Sequence, residues 1–149
     1  MSGEWPVVSG VAPGSESGRR STAPRAPVES YEDLEVWQLA MDLAEMCYAL
    51  ARHFPIDETY GLSTQIKRAA VSIPSNIAEG FGRDGTASYI HFLRISLGSS
   101  RELETQLLLA LRLKLAPAGD VSPVRHTVIR VSKMLRALVR SLEKRSPGG

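Results

Sequence analysis

The chain has 149 residues, of which 43% are hydrophobic and 23% charged, and this suits one globular domain. No apolar run approaches the roughly 18 residues of a membrane-spanning helix, and the N-terminus lacks a basic start and a long apolar stretch, so we expect no membrane span and no secretory signal. Cys47 is the only cysteine, which excludes an intrachain disulfide and predicts a buried, inert thiol in a reducing cytoplasm.

The formal net charge of +2 conceals an uneven distribution along the chain. Residues 31–54 carry five acidic residues and one arginine, a net of −4. Residues 121–149 carry seven basic residues and one glutamate, a net of +6. The first structured segment is therefore acidic and the last one basic.

Residues 1–29 are predicted to be a disordered N-terminal extension. Glycine, proline and serine make up nearly half of residues 1–30, and the charges there balance. Such a segment cannot bury enough apolar surface to offset the entropy lost on ordering. The folded domain is therefore expected to cover residues 30–146.

The first predicted helix starts at Ser30, which can cap it, with Glu32 and Asp33 in the first turn at the positive end of the helix dipole. Two neighbouring apolar stripes then recur every three or four residues. Because a helix packed on only one side needs one stripe, two stripes predict burial on two sides and hint at self-association. The first stripe is Leu34, Trp37, Met41, Ala44, Tyr48 and Ala51, and the second is Val36, Ala40, Leu43, Cys47, Leu50 and Phe54.

The next two helices are predicted at residues 60–79 and 86–115. Pro74 lies inside the former and is expected to kink it, while Gly80 is expected just past its end. In the latter, Ser96, Gly98, Ser99 and Ser100 are small enough to let another helix approach closely.

The last helix is predicted to begin at Ser122-Pro123, a cap followed by a favoured first residue. Its apolar positions keep strict three-four spacing: Val124, Val128, Val131, Leu135, Leu138 and Leu142. Four helices with short connections predict an all-α fold, an antiparallel up-down four-helix bundle.

Gly80, Gly82 and Gly85 show the G-x-G-x-x-G spacing of dinucleotide-binding loops, and Glu102 lies where such a fold places its ribose-binding acid. The upstream AAVSI and Glu102 both belong to helical patterns, so the required strands are missing. We therefore interpret the glycines as a reversal between two helices, where positive backbone dihedrals are needed.

Several short segments of the chain form a distinctive set: LxVWQxA at 34–40, FP at 54–55, YGL at 60–62, QIxRA at 65–69, SIPSNIAEG at 72–80, GS at 98–99 and ELET at 102–105. Together they resemble the bacterial four-helix-bundle proteins of 23S ribosomal RNA intervening sequences. The likeness covers about residues 31–115, and the longest segment makes it specific.

The resemblance implies a left-handed bundle and a homo-oligomer, a ring of five subunits. It also implies a relation to the accessory proteins of diversity-generating retroelements, which are similar barrels that bind a reverse transcriptase and nucleic acid. The family has no established enzymatic activity, so the resemblance implies no catalytic residue and no cofactor.

Polar residues on the matched motifs are Arg68, Asn76, Glu79, Arg83, Glu102 and Glu104. Interior polar groups that are paired can fix the register of a bundle. The hypothesis is that Arg68 pairs with Glu102 or Glu104, while Asn76 and Glu79 hold the kink and the glycine turn. A ligand site or a subunit contact is the alternative.

Basic residues on the last helix are Arg125, Arg130, Lys133, Arg136, Arg140 and Lys144. They form either a solvated face, an electrostatic partner for the acidic first helix, or a contact surface for the phosphates of RNA or DNA that ring symmetry would multiply. His53, His91 and His126 lack metal-ligand spacing, and no nucleophile motif is present, so no metal or catalytic site is predicted. The prediction is a cytoplasmic oligomer that binds nucleic acid or a nucleic-acid enzyme such as a reverse transcriptase, and the alternative is a structural scaffold for protein partners.

Overall fold

The computed structural model describes residues 27–58 and 61–145, which form four α-helices and contain no strand. The helices are α1 (Glu35–Ala51), α2 (Leu62–Phe81), α3 (Thr86–Arg112) and α4 (Ala118–Arg145), with 3₁₀ turns at Tyr31–Asp33 and Ile56–Glu58. Residues 1–26, most of the extension predicted to be disordered, lie outside the described part.

The four helices pack in a closed cycle, α1 against α2, α2 against α3, α3 against α4, and α4 back against α1. Short connections make neighbours antiparallel, so the all-α, up-down four-helix bundle is confirmed. Leucine, isoleucine and valine side chains from all four helices fill one continuous core.

The start of the domain differs in detail from the predicted continuous helix. Ser30 does cap a turn, since its hydroxyl accepts from the Glu32 amide at 3.2 Å. The Asp33 carboxylate accepts from the amides of Glu29 and Ser30, at 3.0 Å each, and closes that turn. Leu34 is extended, and α1 begins after it at Glu35.

The two apolar stripes of α1 have different surroundings. Every residue of the second stripe, from Val36 to Phe54, is buried. In the first stripe only Ala51 is buried, and Met41 and Tyr48 are exposed. Burial within one chain therefore accounts for one stripe.

The α2 helix continues through Pro74 and ends two residues later than predicted, at Phe81 with Gly82 as its C-cap. Gly80 thus lies within the helix and is buried, and Gly85 is the only glycine of the three with a positive φ, at 90°. A Cβ on Gly80 would lie 2.8 Å from the Phe92 Cβ, so this glycine permits close packing of α2 on α3.

Three predictions about α3 and α4 need correction. Ser96 and Ser100 are buried at helix contacts as expected, but Gly98 faces open space. The α4 helix begins at Ala118, so Pro123 lies inside it instead of at its start. Toward the end of α4, Val139 is buried whereas Leu138 and Leu142 are only partly buried.

Candidate nucleic-acid interface

The basic residues of α4 are exposed because the helix buries its opposite side. Its buried valines and leucine, spaced by three and four residues, are Val121, Val124, Val128, Val131, Leu135 and Val139. The remaining faces reach solvent, and five predicted site residues are exposed there: Arg130, Lys133, Arg136, Arg140 and Lys144. They span about 21 Å along the helix axis at 1.5 Å per residue.

Arg125 differs from the other five predicted residues because it is only partly exposed. Its Nε atom is buried and has no hydrogen-bond partner among the described residues. We call the five exposed residues the basic face, and Arg125 lies beside it.

Glu143 is the only acidic residue in the second half of α4, and α3 neutralises it. The Arg94 guanidinium donates to the Glu143 carboxylate at 2.6 Å, with both side chains about half exposed. Because Arg94 supplies the compensating charge, the arginines and lysines of the basic face have no carboxylate partner in residues 27–58 and 61–145.

The interpretation of α4 as an electrostatic partner for the acidic α1 was left open by the sequence. The two helices pack against each other, but no ion pair joins them within the described residues. Burial, followed by the neighbouring Glu45 carboxylate, raises the pKa of Asp42. A nearby cation would lower that pKa, and no cation of α4 is among the causes of the rise.

The polar motif residues of α2 form a short hydrogen-bond chain to α3. The Asn76 side-chain amide donates to the Ser72 carbonyl at 2.8 Å and to the Ser72 hydroxyl at 3.0 Å. That hydroxyl lies 2.8 Å from the Ser99 hydroxyl across the helix contact. Asn76 was expected to hold the kink at Pro74, where the proline offers no N–H to the carbonyl of Ala70. The Asn76 amide instead holds the side chain of Ser72, which links α2 to α3.

The predicted ion pair between Arg68 and Glu102 or Glu104 is wrong for the single chain. Arg68 and Glu102 are exposed, and no bond joins Arg68 to either glutamate. The Glu102 carboxylate instead accepts from the side-chain amide of Gln106 at 3.1 Å. Arg68 projects from the outer surface of α2, where it lines a groove with residues of α1 and α2.

Glu79 and Arg83 pair with each other at the end of α2, at 2.5 Å. The Arg83 guanidinium also lies over the Phe92 ring, 5.0 Å from its centroid. At the glycine turn, Glu79 therefore forms a partly exposed ion pair with Arg83, which lies against α3. Such an exposed pair contributes little to stability.

Sequence reasoning did not identify Arg94 or Gln106. Gln106 is buried in α3, and its Oε1 atom has no hydrogen-bond partner among the described residues. Sequence reasoning also did not identify two separate hydrogen bonds of buried hydroxyls: Ser132 donates to Ser100 at 2.8 Å, and Ser96 donates to the Ile73 carbonyl at 2.9 Å. The small side chains in the helical pattern of α3 were the available signal for these contacts.

Other site chemistries find no support in the part of the chain that the structure describes. No group of histidine, cysteine and acidic side chains there could hold a metal ion. The dinucleotide interpretation of the glycines is excluded because AAVSI lies within α2 and Glu102 within α3. None of the described helices has the length and apolar character needed to span a membrane.

Comparisons with known proteins agree with this fold. The family model described as 23S rRNA-intervening sequence protein matches residues 32–137. A crystal structure from Bacteroides thetaiotaomicron, described as a protein with unknown function from the S23 ribosomal protein family, is similar with a TM-score of 0.66 and 23% identity. The match covers 70% of this chain and 97% of the other, and it shows a shared fold. No curated protein sequence matches the chain.

Proposed function

The chain belongs to the 23S rRNA-intervening sequence protein family, and from that premise we propose a non-enzymatic homo-oligomer that binds nucleic acid through the basic face of α4. The observation that carries the proposal is the row of five exposed cations without carboxylate partners among the described residues. Such a row is attracted to a phosphate backbone, and assembly of several chains would multiply the effect.

The expected mode of binding is to the backbone, without base readout. The basic face lies on the solvent side of a helix and presents arginine and lysine without an interleaved aromatic side chain, so stacking on single-stranded bases is not expected. Phosphate contacts of this kind release counterions, so affinity should fall steeply as salt rises.

The same proposal includes a pentameric assembly in the cytoplasm and a nucleic-acid enzyme, such as a reverse transcriptase, as a protein partner. The pentamer comes from the resemblance to the intervening-sequence proteins, and the reverse transcriptase from their relation to retroelement accessory proteins. The cytoplasm is inferred from cysteine usage, and the free thiol of Cys47 is compatible with a reducing compartment. Mass measurement in solution tests the subunit number. Copurification with a reverse transcriptase, before and after nuclease treatment, tests the partner.

The experiment that tests nucleic-acid binding is titration of the purified protein into a labelled hairpin RNA and a labelled duplex DNA, at about 50 mM and 200 mM salt. We expect binding to both probes at low salt and a strong loss at higher salt. Absence of binding at low salt would eliminate the proposal.

A structural scaffold for protein partners is the second candidate. The exposure of Met41 and Tyr48 on α1 favours it, because these side chains offer an apolar contact surface independent of charge. This candidate predicts an oligomer that persists while neither nucleic-acid probe binds.

A further inference from the structure

A groove between α1 and α2 has an apolar floor that the described residues leave open. Met41, Tyr48 and Val71 line it and remain 39%, 42% and 42% exposed. Two adjoining cavities of about 370 and 460 Å³ share Tyr48 and Val71, so they form one continuous depression. We call this depression the α1–α2 groove.

A second exposed apolar surface lies on α3. Ile95 and Leu109 are 38% and 44% exposed, and with Gly98 and Glu102 they follow the three-four spacing of one helix face. A Cβ on Gly98 would have nothing within 4 Å, so this part of the face is open and flat. We call the four residues the α3 stripe.

The α1–α2 groove is mainly basic, and the one charged residue of the α3 stripe is acidic. Arg52, Lys67 and Arg68 line the groove with a single acidic residue, Glu45, among them, and none of the three cations pairs with a carboxylate in the described ranges. Lys67 instead lies over the Tyr48 ring, 5.3 Å from its centroid. The α3 stripe has Glu102 at its centre, and this carboxylate contacts only the Gln106 amide among described residues.

We propose that the α1–α2 groove of one copy of the chain receives the α3 stripe of a second copy, with Glu102 placed against Arg68. The inference rests on the assembly in the proposed function and names the surfaces that form it. It also gives Arg68 and Glu102 the partners of opposite charge that they lack among residues 27–58 and 61–145.

The proposed contact joins two different surfaces of the same molecule. A pair joined in this way keeps one free groove and one free stripe, so further copies can add. Assembly ends when the rotation between neighbours closes the chain of copies into a ring, which is the form that the proposed function includes. The open position at Gly98 lets the helix of one copy approach the next closely. Exposed apolar side chains of both surfaces leave water together, which supplies the favourable free energy.

The test begins with three charge-insertion variants at exposed helical positions. The groove variant is Met41→Glu with Val71→Glu, and the stripe variant is Ile95→Glu with Leu109→Glu. The matched control is Leu108→Glu, which changes a 36% exposed leucine about 100° around α3 from Leu109. Circular dichroism monitors folding, and multi-angle light scattering gives the mass.

We expect the unchanged protein and the Leu108→Glu control to form the same oligomer. The groove and stripe variants should both be folded single copies of about 16 kDa. Mixed in equal amounts, they should form a one-to-one pair that adds no further copy. The groove variant supplies the intact stripe of that pair, and the stripe variant supplies the intact groove. The single variants Arg68→Glu and Glu102→Arg should each weaken assembly and associate again when mixed.

Three results would overturn the inference while leaving oligomerisation intact. In the first, the groove and stripe variants both assemble like the unchanged protein. In the second, only the groove variant loses assembly, which would indicate contact between two grooves. In the third, the mixture of the groove and stripe variants stays as single copies. A single-copy mass for the unchanged protein would overturn the inference and the proposed assembly together. Titration of that protein with the labelled nucleic acids would still test nucleic-acid binding on its own.

Discussion

Arg94 of α3 donates to the carboxylate of Glu143 of α4 at 2.6 Å, across 49 positions of sequence. The contact has two consequences. It joins α3 to α4 near the end of the bundle, and it cancels the one negative charge in the second half of the basic helix. Because both side chains are about half exposed, the second consequence matters more than the first.

Replacing Glu143 and replacing Arg94 should change nucleic-acid affinity in opposite directions. Glu143→Gln leaves Arg94 uncompensated and should strengthen binding at low salt by a few-fold, whereas Arg94→Gln leaves the glutamate charge uncompensated and should weaken it. Stability should change by less than about 1 kcal/mol in both variants, since the pair is exposed. Fluorescence anisotropy with the labelled duplex checks affinity, and urea denaturation checks stability. Changes of the same sign in affinity would contradict the prediction.

Removing two charges from the basic face should flatten the salt dependence of binding. Arg136→Gln with Arg140→Gln is expected to lower the slope of log K against log salt by about 2 for duplex DNA, and by more if several subunits contact one duplex. Arg83→Gln is the control, because it removes a cation that pairs with Glu79 outside α4. An equal reduction in the control would mean that general charge, and not this face, governs binding.

Periodicity in the sequence was sufficient to predict the fold and the exposure of the basic face. The valines of α4 recur every three or four residues, so the intervening arginines and lysines had to point away from the core. The two stripes of α1 likewise indicated a surface beyond what one chain could bury. These predictions depend on one helix and its own repeat, which the sequence contains in full.

Features that depend on two elements could not be predicted in the same way. The sequence pattern predicted an ion pair between Arg68 and a glutamate of α3. Whether these residues can meet depends on the position of α2 along α3, which the contact between Ser72 and Ser99 helps to set. Arg94 and Glu143 were not connected for the same reason. The glycines also misled, since Gly80 looked like a helix end and in fact permits contact between α2 and Phe92.

Adding a methyl group at Gly80 should destabilise the bundle. A Cβ there would lie 2.8 Å from the Phe92 Cβ and 3.1 Å from the Tyr89 ring. Relief requires the two helices to separate, at a cost of about 1–3 kcal/mol for Gly80→Ala. That cost is partly offset by the better helix propensity of alanine, about 1 kcal/mol.

The control for Gly80→Ala is Gly119→Ala in α4, where a Cβ would meet nothing within 4 Å. This variant should keep the stability of the parent or raise it by up to about 1 kcal/mol. Thermal and urea denaturation of both variants measure the difference. A Gly80→Ala protein as stable as the control would show that α2 and α3 are not in close contact at this point.

Cys47 should make the fold sensitive to alkaline pH. Its side chain is fully buried, and burial raises the pKa of the thiol to about 12 from an ordinary value of 9.0. The folded protein therefore keeps its proton while the unfolded chain releases it. Stability from this group is fully present below pH 9.0 and is lost as pH rises toward 12, with a slope approaching about 1.4 kcal/mol per pH unit.

Lysine and tyrosine side chains also titrate in this range, so the cysteine contribution is measured by difference. The free energy of unfolding is determined from urea titrations at pH 7.5, 9.5 and 10.5 for the parent and for Cys47→Ala. The variant starts from a lower stability because it loses buried volume, but it should lose less stability between pH 9.5 and 10.5 than the parent. Equal losses in the two proteins would mean that the thiol ionises as readily in the folded bundle as in the unfolded chain, and hence that the core around Cys47 admits water.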